Sequence, residues 1–255
     1  AGVKGFLSAQ VNPKYYPSFD LMVAQATQLA ALAPNIAIKA PATEVGIAAI
    51  EEMTARGIRV NATVSFTVPQ ALAVSAALER GLKRARAAGR DADAIRPYIT
   101  LMIGRVDDQL KRVADAQKLS VTPGTIEWSG IAVFKHAHRL FQQRGLPGTL
   151  LAAAYRHEHH WSQIIGREVL QTVPYTWWTK FNVSSTAPSV STALPLPEVV
   201  PPLAPPLPAP PPPSPPPPSR SMPSWPHLNA WCWLPTARPP SPRCSCRSIP
   251  PPPPP

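Results

Sequence analysis

Asn35-Ile36-Ala37-Ile38-Lys39-Ala40-Pro41-Ala42-Thr43 sets one lysine at the end of a short apolar run, then breaks the run with proline and opens the next segment on threonine. A run of this length between turn residues reads as a strand buried on both faces. A charged lysine is costly to bury, and a desolvated amine that spends time neutral is a nucleophile for carbonyl carbon. Lys39 is therefore a candidate Schiff-base lysine. The plainer reading is a strand-end lysine whose stem packs while its head reaches water. Its neighbours decide between the two.

Outward from that run, strands and helices alternate. Strands are expected at 5–12, 35–40, 58–66, 97–106, 148–156 and 169–173. Ser18 leads a helical run closed by Pro34. Thr43 is the expected N-cap of the helix after the lysine strand, with Gly57 just past its end. Further helices are expected at 69–88, Asp107–Leu119, Ile126–Gln143 and 158–166. Six strands spaced by helices argue for an α/β fold with a parallel sheet. Between Ile58 and Phe66, period 2 places Asn61, Thr63 and Ser65 on one face. Gln10, Lys39, Thr63, Thr100, Arg105 and Arg156 all fall towards the C-terminal ends of expected strands, the edge where parallel sheets and barrels hold ligands.

Composition divides the 255 residues in two. Residues 1–180 hold 9 of the 37 prolines and no cysteine, while residues 181–255 hold the rest of the prolines and all three cysteines. Lys and Arg exceed Asp and Glu by 21 to 13 in the first part and by 4 to 1 in the second. A basic surplus raises nucleic acid as a partner. The positives are scattered, however, and the one cluster (Arg80, Lys83, Arg84, Arg86 and Arg90) has Gly81 and Gly89 around it and reads as a solvated helix end, so no nucleic acid is expected. No apolar run reaches the ~18 residues that span a membrane, so no membrane partner is expected. The second part, with runs such as 210–218, favours polyproline II and builds no core. It reads either as a disordered segment that binds proline-recognition domains or as translation of a non-native frame. A cysteine-free first part suits a reducing, cytoplasmic compartment, or a plastid if a targeting segment precedes Ala1.

His157-Glu158-His159-His160 follows a strand, and His136 and His138 lie on a helix. His157 and His160 are three apart, and no HExxH-like spacing appears. The expectation is a solvated loop and helix start, with no metal.

Taken together, the motifs resemble the transaldolase family, Schiff-base enzymes on a (β/α)8 barrel, over roughly residues 5–178. Ile38-Lys39-Ala40-Pro41-Ala42-Thr43 resembles the strand of the family's Schiff-base lysine. Gly57 to Thr67 resembles the next strand, on which Thr63 would position the catalytic water and Asn61 would bond the sugar. Ile103-Gly104-Arg105-Val106-Asp107 and Ala154-Tyr155-Arg156 resemble the two sites whose arginines hold the sugar phosphate. The resemblance implies a partial TIM barrel at 1–180, strands 3 to 8 of eight, with a Pro-rich tail at 181–255. It further implies transfer of a dihydroxyacetone unit between sugar phosphates in the pentose phosphate pathway, no cofactor, and a homo-oligomer as one expected state. Gln10 stands where the family carries a glutamate. A glutamine there is similar to the fructose-6-phosphate aldolase branch, yet that branch's tyrosine acid is replaced by Met102. Ala154 and Thr100 stand at places usual for serine. The two strands the resemblance puts before Gly5 would bring an acid/base aspartate. The alternatives are an aldolase-type lyase and a non-catalytic barrel remnant with an interaction tail.

Overall fold

The computed structural model describes residues 5–166 and 168–184. The expected tail lies outside these residues, except for its first four. Six strands form one parallel sheet in chain order: β1 (Leu7–Gln10), β2 (Ile36–Pro41), β3 (Val60–Ser65), β4 (Tyr98–Leu101), β5 (Thr149–Ala152) and β6 (Val169–Gln171). The helices are α1 (Phe19–Ala30), α2 (Glu44–Ala55), α3 (Val68–Ala87), α4 (Ile103–Gln117), α5 (Ser129–Arg144), α6 (His159–Ser162) and α7 (Tyr175–Phe181). This is the expected partial α/β barrel, an open run of βα units in which each parallel pair is joined through a helix.

Local chemistry explains the helix boundaries. The hydroxyls of Ser18, Thr43 and Thr67 accept from the N–H groups of Leu21, Gly46 and Gln70, capping α1, α2 and α3. Gly57, at φ +82°, turns the chain out of α2 where a residue with a Cβ would be strained.

The register sorts the side chains into two faces, because laterally paired residues of a parallel sheet point the same way. Ile38 pairs with Val60, Ala62 with Ile99, Ile99 with Leu150 and Leu101 with Ala152. These residues join Met22, Ile50, Leu78, Ile131 and Phe134 from the helices in one buried core. The opposite face carries Ser8, Gln10, Lys39, Asn61, Thr63, Tyr98 and Thr100, with Gln10 beside Lys39 and Lys39 beside Asn61. The core thus lies between sheet and helices, and the polar residues line the inner face.

Three expectations are corrected. Ser65 does not share the inner face with Asn61 and Thr63: Val64 takes a left-handed φ of +55°, the register shifts between Ala62 and Ser65, and Ser65 pairs with Leu101 on the core face. Strand β4 ends at Leu101, so Arg105 lies in the first turn of α4; likewise β5 ends at Ala152, and Arg156 lies in the loop beyond it. The apolar run 101–103 continues the strand pattern in sequence, but Ile103 already belongs to the helix. Finally, α7 was not expected; it forms after Pro174, and Phe181 packs against Tyr155, Trp161 and Trp177.

The basic cluster on α3 is largely paired within the chain. Arg80 binds Glu51, Arg84 binds Glu51 and Glu52, and Arg86 binds Asp93. Among the described residues no helix is long and apolar enough to cross a membrane.

Candidate active site

A hydrogen-bonded line crosses the inner face. The Thr100 hydroxyl donates to Asn61 Oδ1 at 2.6 Å, and Asn61 Nδ2 donates to the Ser8 hydroxyl at 3.0 Å. Asn61 on β3 reaches Ser8 on β1 across the intervening β2, the strand that carries Lys39. The line therefore fixes the Asn61 amide immediately beside the lysine. Asn61, Thr63 and Thr100 are buried, Lys39 is half-buried and Gln10 is exposed. Buried polar groups need partners, which Asn61 and Thr100 supply to each other. Ser8 was missed from sequence; its signal was the period-2 pairing with Gln10 on one strand. No carboxylate among the described residues forms an ion pair with Lys39.

The two arginines meet at a second cluster. Gly104 lets α4 press its first turn onto the exit of β5; a Cβ there would run into the Ala154 carbonyl oxygen and lie 2.8 Å from Arg156 Cγ. This contact brings Asp108 under Arg156. Arg156 Nε donates to Asp108 Oδ1 at 2.9 Å and Nη2 donates to Oδ2 at 2.7 Å, while Nη1 donates to the Ala154 and Tyr155 carbonyls at 3.0 Å each. Arg105 Nη1 lies 3.6 Å from Asp108 Oδ2. The sequence reading joins the arginines at the same edge, and the fold places both around one carboxylate. Asp108 is not marked in the sequence beyond being the second aspartate after the arginine.

Behind this cluster, Asp107 is buried and joined to three elements. Its Oδ1 accepts the Gly130 N–H at 2.9 Å, supplying from α4 a side-chain partner at the start of α5, where Trp128 makes no cap bond. Its Oδ2 lies 3.1 Å from His157 Nε2 and 2.8 Å from His160 Nε2, the latter contact bent away from a straight hydrogen bond. Burial pushes Asp107 up, but the contacts from His157, His160 and the Gly130 N–H outweigh it and hold the carboxyl at about 2. The expectation of a solvated histidine loop is corrected: His160 is fully buried and His157 mostly so.

Asp107, His157 and His160 have the ligand types and spacing of a cation site. The chemistry of the set argues against one. His160 Nδ1 accepts the Arg156 N–H at 3.0 Å, so the ring proton sits on Nε2, the atom turned towards Asp107. A cation would need that lone pair free. The trio fits a polar strut, with Asp107 hydrogen-bonded to His157 and in close contact with His160, whose Nδ1 holds the backbone of Arg156.

A cavity of about 570 Å³ lies elsewhere, between α5 and β6, and reaches Gly148 and Thr149 where β5 begins. None of the candidate residues lines it, and its bottom-of-strand position is not where parallel sheets hold their chemistry.

Comparison with known proteins identifies the family. The family described as Transaldolase/Fructose-6-phosphate aldolase matches residues 1–198. A transaldolase of Mycolicibacterium paratuberculosis is 37% identical over 113 residues, 44% of this chain and 30% of that protein. Transaldolase 1 of Streptomyces avermitilis is 39% identical over 118 residues, 45% of this chain and 31% of its own length. A probable transaldolase of Thermus thermophilus is 30% identical over 175 residues, 68% of this chain and 61% of its own. The chain thus spans between about a third and three fifths of these relatives. A partial parallel barrel with a lysine beside an asparagine on its inner face, matched along most of its length, belongs to the transaldolase/fructose-6-phosphate aldolase family.

Proposed function

We propose that the chain carries the Schiff-base half of a transaldolase-type reaction on sugar phosphates. The observation that carries this reading is Lys39, half-buried on the inner face, with Asn61 and Gln10 as its lateral neighbours and no acid paired with it among the described residues. In this reading the Lys39 amine adds to the ketone carbon of a ketose phosphate. Water leaves to give an iminium, which draws in the electron pair released when the bond between its α and β carbons breaks, as the β-hydroxyl gives up its proton and becomes the aldehyde. An aldose phosphate departs. The enamine then attacks an acceptor aldehyde, and hydrolysis frees the lysine. Thr63 positions the water, Asn61 bonds a sugar hydroxyl and is itself held by Thr100, and Arg105 and Arg156 take the phosphate. No metal or cofactor is used, because the iminium does the polarising.

A second reading rests on Gln10. At the place of a proton-exchanging carboxylate, an amide holds water but moves no proton at neutral pH. By its resemblance to the glutamine of the fructose-6-phosphate aldolase branch, this position supports simple aldol cleavage as the alternative to transfer, with the enamine protonated from water and the three-carbon ketone released. Borohydride reduction with fructose 6-phosphate tests the shared chemistry. The expected result is a stable adduct in the wild-type chain that is absent in Lys39→Ala. Equal labelling of both chains, or of neither at millimolar sugar, overturns the proposal and leaves the non-catalytic remnant. Product analysis with and without an aldose phosphate acceptor then separates transferase from lyase.

A further inference from the structure

We propose that Asp108 is an internal counter-ion of the anion site, one that an incoming phosphate must displace, and that it thereby sets how strongly the site demands a phosphorylated substrate. The inference rests on the assignment of Arg105 and Arg156 as phosphate ligands.

A guanidinium has five N–H groups. In Arg156 the Nε–H and one Nη2–H go to Asp108, and Nη1 serves two backbone carbonyls. One N–H is left, which cannot form the two parallel bonds that make arginine a good phosphate ligand. Arg105 keeps its fork open, since its contact with Asp108 is a 3.6 Å ion pair and its side chain is more than half exposed. The fork that Arg156 would offer a phosphate is therefore already filled by a carboxylate. Two guanidiniums and one carboxylate leave a net charge of +1, set against a phosphate ester of about −2 at neutral pH.

Binding follows as an exchange. Arg105 engages the phosphate first, the Asp108 carboxylate swings off the Arg156 fork into water, and Arg156 closes on the phosphate. Asp108 is a third exposed and lies in the first turns of α4, so it has solvent to turn into. The strut of Asp107, His157 and His160 holds the Arg156 backbone meanwhile, so the exchange costs side-chain contacts only. A substrate without phosphate leaves the Asp108–Arg156 pair closed and pays nothing. Asp108 thus penalises phosphorylated substrates selectively.

The test is Asp108→Asn, which keeps shape and removes charge, with Asp108→Ser as a second variant should the first fold poorly. Inorganic phosphate is titrated by calorimetry at low ionic strength, against chloride at matched ionic strength. The expected result is phosphate affinity raised on the order of tenfold in the variant, as removal of one carboxylate a few ångströms from a dianion predicts. KM for fructose 6-phosphate falls by a similar factor, while KM for unphosphorylated dihydroxyacetone stays unchanged. Weakened phosphate binding overturns the proposal, because Asp108 would then be positioning Arg156 rather than competing for it. Unchanged binding overturns it as well. If neither chain binds phosphate but the Lys39 adduct still forms, the anion-site inference falls and the Schiff-base reading stands. If phosphate binds tenfold more tightly in the variant but no adduct forms, the reverse holds.

Discussion

Asp107 shows how one side chain can hold a site together without touching substrate. Its carboxyl, at about 2 in the folded chain, lies below the usual value near 4 in the unfolded one. The folded state therefore binds fewer protons than the unfolded state over that range. The stability is fully present above pH 4 and is lost as pH falls towards 2, roughly 2 kcal/mol in all. Urea midpoints measured between pH 4 and pH 2 should show this acid limb, and Asp107→Asn should lack it. His138 acts in a higher window. It is buried with neither ring nitrogen hydrogen-bonded among the described residues, and burial lowers its pKa while Glu168 pulls the other way. The sign is the same, so stability falls as pH drops below about 6.5. His138→Leu should make the slope between pH 7 and pH 5 shallower. At this scale the sequence was readable where partners are close: Ser18, Thr43 and Gly57 do what their positions suggested. It was not readable where they are far apart. Asn61 meets Ser8 over a separation of 53 residues and Arg156 meets Asp108 over 48, and no local periodicity encodes either meeting.

At the scale of elements, the join between α4 and the exit of β5 is one of two equally close backbone approaches near the site, the other being Gly46 against the Pro41 carbonyl. A methyl group at residue 104 would overlap a backbone carbonyl, which cannot move aside as a side chain can. Gly104→Ala should cost stability at the upper end of the ~1–3 kcal/mol typical of overpacking. It should also separate Arg156 from Asp108, and both effects are measurable by chemical denaturation and calorimetric phosphate titration. The alternation of strand and helix was legible because α1, α2 and α3 carry their own caps and each strand its own apolar run. The ends of β4 and β5 were not, because apolar residues continue past them into segments whose backbone direction is set by a neighbouring element. The bulge at Val64 was equally hidden: a β-branched residue is a poor guess for a left-handed position. Strain of this kind persists only where surrounding contacts over-determine it, and here it lies directly after Thr63.

At the scale of the whole molecule, the sheet has two rims among the described residues. Strand β1 pairs only with β2, and β6 only with β5. Leu7 on the first rim is 65% exposed and Leu170 on the last is 38% exposed. Unpaired, partly apolar edges are docking sites for other strands. Light scattering should show association that rises with protein concentration, and a lysine placed at Leu7 should suppress it. The six βα units could be anticipated from repeated spacing along the chain. How their rims are met could not, since that depends on atoms beyond any single unit. The polarity of the strands adds a geometric consequence. All six run the same way, so a twofold dimer through identical rims would have to pair strands antiparallel. Keeping the native polarity requires the last rim of one copy to meet the first rim of the next. Such a join repeats the same offer at its far side, so self-association by this route proceeds as an open-ended chain unless its rotation happens to close a ring.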